Sequence, residues 1–248
     1  QAEDGIRDVE RSRGLGDVYK RQDKMLEYIR VLRLLWNSDE QNPVTFKGRY
    51  WNLTNAFLQV KPMGKIPIYF GANGKRTMIL TGKYADGWIP MPQTPEIYRR
   101  NLKYVKKGAE SVGRDLNEIE TCLWTYLVIS SNENEIKKTL KLIKPQLAAF
   151  PKIVKELNLN LPDWATPNLY SEIEVSELHE RRLNELGNYI PDDVAMRFCI
   201  AGRAEECIER IDEFVRAGVR HFVLVNMGPD PKRNLEILKN EILPVFKN

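Results

Sequence analysis

The chain has 248 residues, enough for one large or two small domains, and its 42% apolar content is ordinary for a globular protein with a sizeable core. Its 38 basic and 34 acidic residues are mixed rather than blocked, so the formal charge of +4 indicates no nucleic-acid partner. No run approaches the roughly 20 apolar residues of a membrane-spanning helix, Cys122, Cys199 and Cys207 suit free thiols in a reducing cytosol, and His179 and His221 lack ligand-like neighbours, so no metal is expected.

Residues 1–22, QAEDGIRDVERSRGLGDVYKRQ, carry charge without periodicity, and Gly14 and Gly16 oppose a helix. They are expected to be a non-native or disordered tail, with the gene's own product entering near Asp23 and an N-terminal part missing. From Lys24 to Trp36, Met25, Ile29, Leu32 and Trp36 share one helical face with Leu35 beside them, which predicts an amphipathic helix. VTFKGRYWNL follows as a small hairpin around Gly48.

Beyond the hairpin the chain alternates. IPIYFG reads as a buried parallel strand, 75–85 as a helix, GWIP as a second strand and 95–112 as a second helix. ETCLWTYLVIS is the third and most β-prone run. The stretch from Asn134 to Leu157 looks helical but broken by Pro145 and Pro151, and a further helix ends at Gly187. RFCIAG is a short strand or turn. RAEECIERIDEFVRAG is a helix with Ile208, Ile211 and Val215 on one face, a Glu206–Arg210 surface pair and Gly218 as its stop. VRHFVLVNMG is a fourth core strand, and DPKRNLEILKNEILPVF closes the chain as a helix. The pattern predicts parallel βαβ units. Four strands do not close a barrel, and an open doubly wound sheet stays possible on pattern alone.

The loop GANGKR joins the first of these strands to its helix. It is neither a Walker A sequence nor a complete G-x-G-x-x-G fingerprint, so two readings stand: an anion seat at a helix N-terminus, or a turn with solvated cations. Gly71 and Gly74 permit unusual dihedrals, Asn73 tolerates a left-handed conformation, and Lys75 and Arg76 offer charge-assisted contacts. Asp86 is expected to satisfy backbone N–H groups rather than to act as an acid. Trp88 is either core or near a cofactor, and only one of Tyr69 and Phe70 faces inward. His221 reads as a hydrogen-bonded core residue, Arg203 as an exposed helix start, and Asn226, Gly228 and Asp230 as candidates for ligand contact.

Four segments, EYIRVLRLLWNSDEQNPVTFKGRYWNL, KIPIYFGANGKRTMILTGKYADGWIP, GAESVGRDLNEIE and FCIAGRAEECIERIDEFVRAGVRHFVLV, occur in an order and spacing that resemble the luciferase-like monooxygenase superfamily. The likeness is to its coenzyme F420-dependent, methylenetetrahydromethanopterin reductase-like branch. The resemblance implies a (β/α)8 TIM barrel of which 23–248 supplies only the last four βα units, with an insertion at about 131–197. It implies a cytoplasmic oxidoreductase moving a hydride between reduced F420 and a small organic substrate, as a homodimer, with the isolated chain poorly stable and inactive. FMN is the alternative cofactor, in a luciferase-like monooxygenase, and a noncatalytic flavin-fold protein is the other alternative. The same resemblance implies that Gly71, Ala72, Asn73 and Gly74 cradle the cofactor phosphate, with Lys75 beside them. Relatives carry a small residue and Pro where this chain has Lys75 and Arg76.

Overall fold

The computed structural model describes residues 20–159, 162 and 177–246. The chain divides into two compact units at Pro67/Ile68. Most of the 1–22 tail, the side chain of His179 and residues 163–176 of the expected insertion lie outside the described residues.

The first unit holds α1 (20–36), β1 (Val44–Lys47) and β2 (Asn52–Ala56). Helix α1 begins before Lys24 and takes in Lys20 to Gln22, three residues of the expected tail. The two strands pair antiparallel as the expected hairpin. Its turn is held by Glu27 of α1, whose carboxylate accepts from the N–H groups of Arg49, Tyr50 and Trp51 at 3.0, 2.7 and 2.8 Å. These three amides have no ladder partner in the turn, so the carboxylate supplies what the backbone lacks.

The second unit is an alternating α/β structure. In chain order it contains β3 (Tyr69–Phe70), α2 (Lys75–Tyr84), β4 (Gly87–Trp88), α3 (Pro95–Glu110), β5 (Glu120–Ile129), α4 (Glu133–Ala148), α5 (Pro151–Glu156), α6 (Glu177–Gly187), α7 (Asp192–Met196), β6 (Cys199–Gly202), α8 (Ala204–Arg216), β7 (His221–Asn226) and α9 (Pro231–Ile237). All pairings among β3 to β7 are parallel, as the strand–helix alternation requires. Ten-residue β5 is the hub. Its first two residues pair with β4, Cys122–Leu127 pair with β7, and Tyr126–Ile129 pair with β6. RFCIAG therefore enters the sheet as β6, and the described sheet has five strands rather than four. A run this short shows no period by which a strand differs from a turn.

Two further expectations are corrected. Pro145 lies inside α4 without breaking it. Its ring packs against Gly187 of α6, where a Cβ would come within 2.8 Å of it, and the carbonyl that it leaves unpaired is that of exposed Lys141, within reach of water. On α8 the buried face is Cys207, Ile211 and Phe214, whereas Val215 is 44% exposed. Arg210 turns to Glu213 and to the carbonyls of Arg197 and Cys199 rather than to Glu206, which instead accepts from the Arg203 N–H at 2.7 Å.

The core of this unit gathers Tyr126, Val128, Leu140, Ile143, Leu147, Phe198 and their neighbours from β5, β6 and the helices α4, α6 and α7. Helices α2 and α3 cross at two glycines. A Cβ on Gly82 would meet the Val105 carbonyl oxygen at 2.0 Å, and one on Gly108 would meet that of Ile79 at 2.0 Å. This close crossing sets the position of α2, and with it the loop at its start.

Candidate functional site

Gly71 to Gly74 form the turn from β3 into α2, and neighbours on both sides hold it. The indole N–H of fully buried Trp88 donates to the Ala72 carbonyl at 2.8 Å, and the Asn73 side-chain oxygen accepts from the Met91 N–H at 3.0 Å. Trp88 also packs on Tyr98 with ring centroids 4.8 Å apart. The indole is thus both core and the brace of the loop.

Gly74 is the N-cap of α2, with φ −95° and ψ 148°. Neither it, Gly71 nor Asn73 has a positive φ, so the turn does not use the left-handed conformations that these residues permit. The glycines instead leave room: a Cβ on Gly71 would meet only ordinary van der Waals contact, 3.7 Å from the Ile89 oxygen. One of the four expected donors is already committed, because the Gly74 N–H donates to the Thr77 hydroxyl at 3.1 Å while that hydroxyl donates back to the Gly74 carbonyl at 2.9 Å.

Beside this turn lies a cleft of about 520 Å³ reached by Asn73, Lys75, Gln93, Arg100, Tyr104 and Lys152. Met91, Ile97 and Phe198 supply an apolar wall. Lys75 sits over the Tyr104 ring, 5.4 Å from its centroid, and Arg100 pairs with Glu156 at 2.6 Å. The Lys152 ammonium lies 3.7 Å from where a Gly74 Cβ would stand. Desolvation lowers its pKa, against the raising influence of Glu156, so its charge is costly there without an anion. Nothing in the spacing of FPKIVKEL points to Lys152, because α5 is brought to the loop only by tertiary packing.

The remaining candidates separate. Asp86 accepts from the Ile68 N–H at 2.9 Å, the backbone role expected of it. Phe70 is buried while Tyr69 turns its hydroxyl to the Glu120 carboxylate on the other face of the sheet. His221 is exposed rather than core, with Nδ1 2.5 Å from Glu120. Arg203 is the exposed N-cap of α8. Asp230 caps α9 by accepting from the N–H groups of Lys232 and Arg233, and Asn226 donates to the Pro231 carbonyl at 2.9 Å. These groups stiffen the loop after β7, whose Pro229 and Asp230 line a second cleft of about 610 Å³ with Arg203. The three cysteines are free and buried, which pushes Cys122 up to about 11 and Cys199 and Cys207 up to about 12. No described helix is long and apolar enough to cross a membrane.

The profile of the family described as luciferase-like monooxygenase matches residues 4–221. The chain belongs to the luciferase-like monooxygenase family. Among curated members, it is 25% identical over 228 residues to the F420-dependent glucose-6-phosphate dehydrogenase of Microbacterium testaceum, covering 91% of this chain and 61% of that protein. It is 24% identical to the 5,10-methylenetetrahydromethanopterin reductase of Methanopyrus kandleri, covering 88% and 62%. Among solved structures, an F420-dependent secondary alcohol dehydrogenase in complex with an F420-acetone adduct superposes with a TM-score of 0.72 at 26% identity, over 93% of this chain and 63% of that one. This luciferase-like chain thus spans about three-fifths of the length of such relatives, and the parallel α/β sheet has the family's barrel-related architecture.

Proposed function

We propose that the chain is the C-terminal part, the last βα units, of an F420-dependent oxidoreductase barrel, and that the β3–α2 loop and its cleft seat the phosphate-bearing arm of the cofactor. The observation that carries this reading is the juxtaposition of the braced turn with Lys75 and Lys152 at the start of a ten-residue helix. The names of the aligned relatives favour F420 over FMN.

The residues present fit such a group. Backbone amides of Gly71, Ala72 and Asn73 and the N-terminal end of α2 favour an anion, Lys75 and Lys152 add full charges, and Gly74 contributes clearance more than a donor, since its N–H already serves Thr77. Met91, Ile97 and Phe198 would shield the bound arm from water. When bound, a deazaflavin supplies the hydride-transfer chemistry, and the protein supplies position and exclusion of water. A small organic hydride acceptor or donor, a homodimeric state and a cytosolic location belong to the same reading. Three free, buried thiols are in keeping with a reducing compartment.

The test is titration of the purified protein with F420, FMN and inorganic phosphate, followed by fluorescence or calorimetry. F420 is expected to bind, with Gly74→Val weakening it at least about 10-fold, the scale of losing one charge-assisted contact. Gly74 is already in extended backbone, so valine needs no change of backbone conformation, and its Cβ would stand 3.2 Å from the Thr77 hydroxyl and 3.7 Å from the Lys152 ammonium. Unchanged affinity in a folded Gly74→Val variant overturns the loop assignment, and tight FMN binding without an F420 response overturns the choice of cofactor.

A further inference from the structure

On the face of the sheet to which Tyr69 turns, β5 and β7 bring together three side chains that the linear sequence keeps apart. Cys122 and His221 are directly paired in the β5–β7 register. Glu120 stands two residues before Cys122 on β5, hence on the same face. One ligand-type atom from each, a carboxylate oxygen, Sγ and an imidazole nitrogen, lies within 4.8 Å of the other two. Glu120 and His221 are 101 residues apart in sequence and 2.5 Å apart at Oε1 and Nδ1.

The plainer reading is a hydrogen-bonded Glu120–His221 pair with a buried thiol alongside. Three features go beyond it. The donor set combines a thiol, an imidazole and a carboxylate, the three side-chain types that bind zinc-like divalent ions. Both strands are pinned by a continuous six-residue ladder, Cys122–Leu127 against His221–Asn226, so the donors are preorganised. The second oxygen of Glu120 is held by the Tyr69 hydroxyl, an outer-shell contact of the kind that orients carboxylate ligands. Arg220 does not occupy the site. Its guanidinium is spent on the carbonyls of Leu116 and Ile119 and the side chains of Asn117 and Thr121. His221 is exposed and Cys122 buried, so the imidazole is the outer donor of the cluster and the thiol the inner one.

We propose that Glu120, Cys122 and His221 form a binding site for a zinc-like divalent transition-metal ion, with Tyr69 positioning Glu120. On binding, the Cys122 thiol gives its proton to solvent, His221 carries its ring proton on Nε2 and binds through Nδ1, and the Glu120 carboxylate replaces its contact with His221 by one to the ion. Three protein ligands leave a fourth coordination position for a water or another small donor. The inference is independent of the cofactor reading, because it uses neither the β3–α2 loop nor its cleft.

Cobalt(II) is the probe. The EDTA-treated protein, titrated with cobalt(II), is expected to develop a thiolate-to-cobalt charge-transfer band in the near ultraviolet and visible bands of a four-coordinate ion, saturating at one equivalent and displaced by zinc. Cys122→Ser abolishes the charge-transfer band. Tyr69→Phe weakens binding about 10-fold, and His221→Gln by more than the roughly 10- to 100-fold cost of an outer-shell partner. Cys122 is buried, so the exposed His221→Gln, checked by circular dichroism, is the second arm. Absence of a charge-transfer band at stoichiometric cobalt, its survival in Cys122→Ser, or unchanged affinity in folded His221→Gln each overturns the proposal.

Discussion

The indole N–H of Trp88 donates to the carbonyl of Ala72 across 2.8 Å, tying the turn after β3 to the strand beside it. Trp88 is fully buried and stacks at a tilt on Tyr98, so a core residue also fixes the backbone of the candidate phosphate loop.

Trp88→Phe should therefore cost both stability and binding. It removes one buried hydrogen bond and part of a large ring, which together cost about 2–4 kcal/mol. Urea denaturation checks the first effect, and F420 titration of the folded fraction checks the second, where a drop of several fold is expected. A stability loss with fully retained affinity would show that the loop holds its shape without the indole.

The α2–α3 crossing predicts a sharper effect. Gly82→Ala and Gly108→Ala each place a methyl about 2.0 Å from a backbone oxygen of the other helix, where no side chain can rotate away. Each should destabilise the protein by about 3 kcal/mol or more, by overpacking. Gly64→Ala, which meets nothing within 4 Å, is the control. Thermal or urea unfolding curves distinguish them.

Lys152 makes binding of a phosphate-bearing ligand depend on pH. Its ammonium pKa is lowered by desolvation, so the charge is lost at a lower pH than for an ordinary lysine. Affinity should be full in the neutral range and begin to fall, as pH rises, before that of a site built on exposed lysines. Lys152→Met should weaken F420 binding about 10-fold at neutral pH and flatten this alkaline limb. Calorimetry across the range provides the measurement.

Glu27 makes the first unit sensitive to acid. Burial raises its pKa, but the amides of Tyr50, Trp51 and Arg49 outweigh that influence, and the net pKa is below the ordinary 4.5. A depressed carboxylate contributes stability that is present above the ordinary value and lost as pH falls through the folded one. Glu27→Gln should reduce the stability of the helix–hairpin unit at neutral pH and remove this acid dependence. Hydrogen exchange at the amides of Arg49, Tyr50 and Trp51, followed from neutral pH down to well below 4.5, reports it locally.

Much of the chain's local architecture follows from its own residues. Apolar periodicity marks α1, and Pro95 and Gly113 bracket α3; β-branched and aromatic residues mark β5. The backbone role of Asp86 is also legible, because a carboxylate at a helix–strand junction satisfies backbone N–H groups; that Trp88 braces the loop is not, since its partner Ala72 lies across α2. Local reasoning stayed open or failed where the deciding partner is remote. RFCIAG becomes a strand because the upper half of β5 has a free edge for it. Pro145 stays helical because α6 offers Gly187 to its ring. The inner face of α8 is set by what packs on Cys207 and Phe214 rather than by its most hydrophobic stripe.

The same division runs through both candidate sites. GANG could be recognised as a strand-to-helix turn with an anion-favouring helix behind it, since turn residues and helix starts act over a few positions. That Lys152 stands beside the turn and that His221 meets Glu120 and Cys122 were decided only when strands and helices distant in sequence packed together. Hydrophobic period and turn chemistry are local properties and can be read along a chain. The charge and ligand environment of a side chain belongs to the neighbours that folding brings to it, and a single sequence does not carry those distances.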